Sequence, residues 1–239
     1  MLNIRAAGLL LAIPLLMMTQ MVKADMTVSI AKLPVLAEHE DKGILVDLAK
    51  LLSESYSGDI NIHVRPFTRS LVEVKDGTSA FHMPLLDSGN GSGTEGLKLS
   101  TESLFKVPFA IFSSREKPIT VDEIKRAMSG DGGLSIETDQ AHVSLFEFPI
   151  DPTTCLKCSL NKVANGRIDA LIFASREFNA ILSSDQNIQG ITEHPFKEYD
   201  VKFVVKDDQS GVEVEKQITE IIRGLKASGE YQKVMTDLL

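Results

Sequence analysis

Between Thr27 and Leu85 the chain alternates period-two runs with helical stripes, in the order strand, helix, strand, helix, strand. Thr27 to Ala31 alternates apolar and polar residues, as a half-buried strand does. Gly43 to Tyr56 carries Ile44, Leu45, Leu48, Leu51 and Leu52 along one helical face. Ile60, Ile62 and Val64 alternate again, and Arg65, Pro66 and Phe67 end that run. Thr68 offers a hydroxyl N-cap for a helix through Lys75; Gly77 stops it, and Ser79 to Leu85 makes a third strand. Strands joined through helices must run parallel, so this segment specifies a doubly wound α/β sheet.

The remainder repeats the theme. Asp87 to Gly96 is rich in Gly and Ser and reads as a loop. Phe105 to Phe112 is a strongly apolar strand, and Thr120 opens a helix with Val121, Ile124 and Met128 on its stripe. Leu134 to Ile136 reads as a strand, Thr138 and Asp139 as a helix start, and Phe146 to Ile150 as a strand of unclear period. Ser159 to Ala164 is helical, Gly166 ends it, and Ile168 to Phe173 is a buried strand. A helix over Ser175 to Leu182, a strand over Val201 to Val205, and helices over Val212 to Leu225 and Tyr231 to Leu239, broken at Gly229, complete the chain.

Met1 to Arg5 is a short basic start, Ala6 to Met18 is an apolar run, and Val22 and Ala24 are small residues at a cleavage position. This is the layout of a secretory signal peptide over residues 1–24. The apolar run is about 13 residues, short of the roughly 20 that a membrane span needs. Cleavage after Ala24 would leave 215 of the 239 residues, and loss of Arg5 and Lys23 would take the formal net charge from −8 to −10. So acidic a chain repels nucleic acid and anionic lipid, which disfavours both as partners. Cys155 and Cys158, in C-x-x-C spacing, are expected to form a disulfide in an exported protein. The aromatic-Cys-Gly-Pro pattern of thioredoxins is missing, and no further His/Cys pair has zinc spacing. No metal or cofactor is expected.

Gly43 to Leu48, Arg65 to Arg69, Lys75 to Ala80, Gly166 to Ala170 and Ser228 to Tyr231, in that order, resemble segments of extracellular solute-binding protein family 3, a group of type II periplasmic solute-binding proteins. Gly43-Ile44-Leu45-Val46-Asp47-Leu48 is similar to that family's G-x-x-x-D-L, and Arg65-Pro66-Phe67-Thr68-Arg69 to its P-W-x-R turn. Gly166-Arg167-Ile168-Asp169-Ala170 resembles its G-R-x-D-A corner, and Ser228-Gly229-Glu230-Tyr231 its tail. Lys75 to Ala80 lies where the family has x-x-G-x-x-D-A, with Ala80 in place of the acid. The resemblance implies two lobes, each a mostly parallel sheet flanked by helices, joined by crossing strands at Lys106 to Phe112 and Tyr199 to Val205. Residues 25–105 with 206–239 would form the first lobe, and 106–205, hinge strands included, the second. It also implies a monomeric periplasmic binder that delivers a small molecule to the membrane permease of an ABC transporter. A ligand-sensing protein that signals to a membrane receptor is the alternative, and a dehydratase-like enzyme a distant third. His39, His63, His82, His142 and His194 are scattered without an acid or nucleophile in a motif, so no catalytic residue is expected.

In open parallel sheets a ligand sits beyond the carboxyl ends of the strands. That rule selects Lys32 to Pro34, Phe67, Arg69, Met83 to Leu85, Thr138, Asp139, and Phe173 to Ser175. The Arg69 fork suits a carboxylate or a structural ion pair, and Phe67 a stacked ligand or core packing. Thr138 suits anion binding at a helix start or plain capping. Ser100 and Thr101 align with the family's serine before the first crossing strand. Amino-acid binders of the family carry an Arg where this chain has Gly93, and an acid where it has Phe173 and Ala174. The usual anchors of an α-amino acid are therefore missing.

Overall fold

The computed structural model describes residues 25–89, 95–129, 133–176 and 189–238. The segment read as a signal peptide, Gly93 and most of the helix expected at Ser175 to Leu182 lie outside them. Among the described residues, eight strands form one sheet in the order β2-β1-β3-β8-β4-β7-β5-β6. They are β1 (Met26–Ala31), β2 (Ile60–Arg65), β3 (Phe81–Leu86), β4 (Leu97–Ser114), β5 (Ile136–Asp139), β6 (Asp151–Thr153), β7 (Ala170–Ala174) and β8 (Ile191–Lys206). The helices are α1 (Ile44–Ser55), α2 (Phe67–Lys75), α3 (Val121–Met128), α4 (Leu156–Ala164), α5 (Gln209–Ser228) and α6 (Glu230–Met235), with a 3₁₀ turn at Gln140–Leu145.

Read from either edge, the sheet has the same plan. β1 lies between β2 and β3, parallel to both, and β5 lies between β6 and β7, parallel to both. The long antiparallel pair β4 and β8 runs between the two sets and belongs to both. At about 3.4 Å per residue these strands are roughly 55–60 Å long, enough to cross two cores.

Two large apolar cores result, with a smaller cluster of Val74, Leu97 and Val204 beside them, and the fold is two-lobed. The first packs β1 and β3 against α1, α5 and α6 through Val28, Ile30, Leu45, Leu48, Phe81, Ile218 and Tyr231. The second gathers Phe109 to Phe112, Ile124, Leu160, Val163 and Leu171 to Phe173. Leu104, Phe105, Val201, Phe203 and Val205 pack in the first core, while Phe109 and Tyr199 pack in the second. The change of core falls between Phe105 and Phe109, and Leu86 and Val107 pack against both. Val201, Phe203 and Val205, on the hinge strand counted with the second lobe from sequence, thus lie in the first core, because β8 crosses over before it ends. Register shifts in β4 near Leu99, Ser103 and Phe109 bend the ribbon there.

Beyond the β7 pairing, no strand among the described residues pairs with the outer edge of residues 97–108 of β4, and side chains lie along it. Thr101 N–H donates to Glu215, Lys226 donates to the Ser103 carbonyl at 2.6 Å, and the Tyr231 hydroxyl to that of Leu104. Covering an edge in this way blocks edge-to-edge association.

Some local expectations need correction. α2 begins at Phe67 with Pro66 as its N-cap, because the fixed φ of proline leads into a helix without a hydroxyl; Thr68 lies inside the first turn. β5 starts at Ile136, where expectation placed its end, and the strand expected at Phe146 to Ile150 is instead irregular chain leading to β6. Asp139 caps a 3₁₀ turn. The helix start at Thr120 and the break at Gly229, which has φ 82°, are as the sequence implies; Glu123 completes a capping box at Thr120 that the sequence reading did not name.

Candidate interlobe site

The parallel strands bring their carboxyl ends to corresponding places in the two lobes: Ala31, Arg65 and Leu86 in the first, Asp139, Thr153 and Ala174 in the second. Leu86 and Val107 lie where the cores meet.

On the first lobe, Lys32 and Pro34 are exposed after β1. Their loop closes at the Leu33–Ala37 bridge and holds Val35 at φ 66°, 61 % exposed. A β-branched residue in the left-handed region is strained. The strain is held from α1: Ile44 N–H donates to the Val35 carbonyl at 3.2 Å and Leu45 N–H to that of Leu36 at 2.9 Å, satisfying two donors that a helix start leaves open. Gly43 permits this approach, since a Cβ there would stand 2.4 Å from the Leu36 oxygen. Phe67, 41 % exposed, sets its ring edge-on to His82 at 5.5 Å. Residues held in this region cluster at ligand clamps and switch segments in proteins generally, which makes Val35 a candidate for the site. The sequence reading passed over Val35, because nothing in the composition of the loop signals a positive φ.

Arg69 is exposed and reaches forward along its own helix, with Nε 3.5 Å from Glu73. Glu73 was missed from sequence and is the hub of this wall. It is buried, accepts from Ser29 at 2.9 Å and Ser79 at 3.3 Å, and meets Arg65 Nε at 3.3 Å and His63 Nδ1 at 3.6 Å. Burial pushes its carboxyl up, but the hydrogen bond from Ser29 and the Arg65 charge outweigh this and hold it below its ordinary value. Beside it, fully buried His82 meets Ser70 Oγ at Nδ1 (2.6 Å) and donates from Nε2 to the Pro84 carbonyl (3.1 Å). Desolvation lowers His82 to about 4, so it stays neutral.

On the second lobe, Phe109, His142, Phe173 and Tyr199 form an aromatic group. The His142 ring is 5.3 Å from those of both Phe109 and Phe173, and Tyr199 is 5.0 Å from Phe109. His142 is half-buried, and its buried Nδ1 has no hydrogen-bond partner among the described residues; burial depresses its pKa. Lys197 Nζ lies 4.8 Å over the Tyr199 ring.

The selected residues therefore divide. Lys32, Pro34 and Phe67 present surface at one strand-end face, and half-buried Ser175 follows β7 on the other. Met83 is fully buried in the first core, and Leu85 packs on Val74, Leu97 and Val204. Ser100 is buried, its hydroxyl donating to the Glu102 carbonyl, and Thr101 is bound through N–H and hydroxyl to Glu215. The Thr138 hydroxyl donates to the Ile172 carbonyl at 2.8 Å, and Phe173 is core. In these six the polar or apolar atoms are already used in packing or hydrogen bonds. Among the described residues no His, Cys, Asp and Glu group forms a metal site, and no helix is long and apolar enough to cross a membrane.

The fold is that of the type II periplasmic binding proteins. The chain is similar to a histidine kinase sensor domain with similarity to periplasmic binding proteins, at TM-score 0.66 and 14% identity over 91% of this chain and 97% of that one. It is similar to the GluR0 ligand-binding core in complex with L-glutamate (TM-score 0.64, 12% identity, 91% and 99% covered). It is also similar to an ABC uptake transporter substrate-binding protein from Streptococcus pneumoniae with bound histidine (TM-score 0.60, 15% identity, 90% and 92% covered). No family model matches the chain, and no curated protein matches it significantly.

Proposed function

We propose that this chain is an exported solute-binding protein that closes its two lobes on a small molecule at the facing strand ends. One observation carries the reading. The cores are linked through a two-stranded ribbon whose paired residues change core within a few positions, with register shifts beside the change. Such a ribbon bends as a hinge while each lobe stays rigid. Residues 25–105 with 206–239, and 106–205, are the proposed units, with the trade of Val201, Phe203 and Val205 noted above. Membership of solute-binding family 3, a periplasmic location after cleavage at Ala24, a monomeric state and binding without catalysis belong to the same proposal.

Pro34, Val35 and Phe67 supply apolar contacts and Lys32 a cation at the lip of the first lobe. Gly93 and Ala174 replace the charged anchors of amino-acid binders, which favours a solute other than a zwitterionic amino acid. Delivery to an ABC permease is the leading role. Signalling to a membrane receptor is the second reading, favoured by the similarity to a histidine kinase sensor domain.

Thermal-shift screening of the full chain against small polar and mixed-polarity solutes tests the binding claim. A hit that stabilises the protein and is weakened at least tenfold by Phe67→Ala supports it. A hit indifferent to Phe67→Ala, Lys32→Ala and Val35→Gly would place binding elsewhere. Capture of a permease or of a sensor kinase by the loaded protein then separates delivery from signalling.

A further inference from the structure

Cys155 and Cys158 form a disulfide on the first turn of α4. Cys155 is the N-cap, and its sulfur accepts the Cys158 N–H at 3.2 Å. Cys158 is exposed and Cys155 half-buried. Because β6 leads directly into α4, the bond stands at the same end of the second lobe's parallel strands as Asp139 and Ala174.

A buried polar network braces the turn. The Ser159 hydroxyl donates to Glu137 Oε2 at 2.5 Å, and Lys162 Nζ donates to the other oxygen at 2.6 Å. Ser159 also lies 3.0 Å from Thr153 Oγ1, which accepts the Cys155 N–H at 3.2 Å. Leu160 and Val163 anchor α4 in the second core. The turn is thus held by contacts that do not involve the sulfur–sulfur bond. That bond closes a loop of two intervening residues and so restrains the unfolded chain little. Stability gives no strong reason for it, whereas its placement gives a chemical one. N–H groups and the dipole at a helix start favour a thiolate over a thiol.

We propose that Cys155–Cys158 is a thiol–disulfide exchange site, with a dithiol as its reducing co-substrate. A thiolate of the dithiol attacks the exposed Cys158 Sγ. The bond between the two cysteine sulfurs breaks, and its electron pair leaves on Cys155 Sγ, where the Cys158 N–H and the helix start hold the new thiolate. The second thiol of the dithiol loses its proton to solvent and attacks its partner sulfur in the mixed disulfide, releasing Cys158 as a thiolate. The dithiol is oxidised by two electrons and the protein is reduced by two, and the reverse sequence oxidises it again. Thr153, Ser159 and Glu137 are positioning residues, keeping the turn in place while the bond is open. The site is independent of solute binding, and either activity can fail without the other.

The test uses the folded, full chain in glutathione buffers of graded redox ratio, quenched by alkylation and read by mass spectrometry, with circular dichroism recorded in parallel. The expected result is reversible two-electron reduction within the glutathione range, an unchanged circular dichroism spectrum, and the transient glutathione adduct on Cys158. Iodoacetamide titration of the reduced protein should show the Cys155 thiol ionising at lower pH than that of a Cys158 left alone in Cys155→Ser. A bond that resists every ratio until denaturant is added, or an adduct confined to Cys155, would overturn the proposal.

Discussion

Asp87 and Lys202 meet at 2.8 Å where β3 ends against β8, tying the first residue after the first lobe's third strand to the returning crossing strand. The Asp87 N–H also donates to the Asp200 carbonyl at 2.8 Å. Both side chains are mostly buried. Burial raises the Asp87 carboxyl, and Lys202 and the Gly89 N–H more than offset that, leaving it below its ordinary value. Asp87→Asn keeps the shape and removes the charge. It should cost about 1–2 kcal/mol in urea unfolding at pH 7. A depressed carboxylate contributes above its unfolded pKa of about 3.9, and the contribution fades as pH falls through the lower folded value. Wild type and Asp87→Asn should therefore converge in acid.

Glu73 should be the costlier carboxylate to remove. Glu73→Gln leaves Arg65, Ser29 and Ser79 facing a neutral amide in a buried setting. A loss of about 3 kcal/mol is expected in denaturant melts. A loss below about 0.5 kcal/mol would show that the ring of donors around it is not stabilising.

His82 predicts a slope in stability on the acid side of neutral. Its folded pKa of about 4 lies below the ordinary value, so the unfolded chain binds the extra proton first. Stability contributed by the neutral ring is complete above about pH 6.5 and is lost as pH falls toward 4. The full effect is about 3 kcal/mol. His82→Gln should lower stability at pH 7 yet flatten the pH 6.5 to 4 limb of a series of urea melts.

Val35 and Gly43 should respond in opposite directions. Val35→Gly relieves left-handed strain and should raise stability by about 0.5–1 kcal/mol after the glycine entropy cost. Gly43→Ala forces a methyl against the Leu36 carbonyl and should cost about 2–3 kcal/mol. Thermal melts of both variants check this. If Val35 contacts ligand, the more stable Val35→Gly protein should bind more weakly.

The first β-α-β series and β7 could be read because a buried parallel strand leaves a local apolar signature, as in Val28 and Ile30 or Leu171 to Phe173; β6 (Asp151–Thr153), short and largely exposed, leaves none. The full lengths of β4 and β8 could not. Thr101, Glu102 and Lys106 on one strand, and Glu193, Lys197 and Glu198 on the other, break the apolar pattern where the ribbon is solvated. The site was less legible for a related reason. Ser29, Arg65 and Glu73 converge only after the chain folds, and Glu73 alone looks like a polar residue on a helix surface. Thr138 and Ser100 looked available because a hydroxyl shows no sign in sequence of the carbonyl it will bind. The cysteine pair was legible as a bond; its place at a strand end was not.

The hinge is tested most directly by the distance between spin labels, one on Glu54→Cys in α1 and one on Asp122→Cys in α3, by pulsed electron resonance, with the native disulfide confirmed intact. The account predicts a broad interlobe distribution that narrows and shortens on adding the solute that gives the largest thermal shift. A single narrow distance, identical with and without that solute, would contradict it.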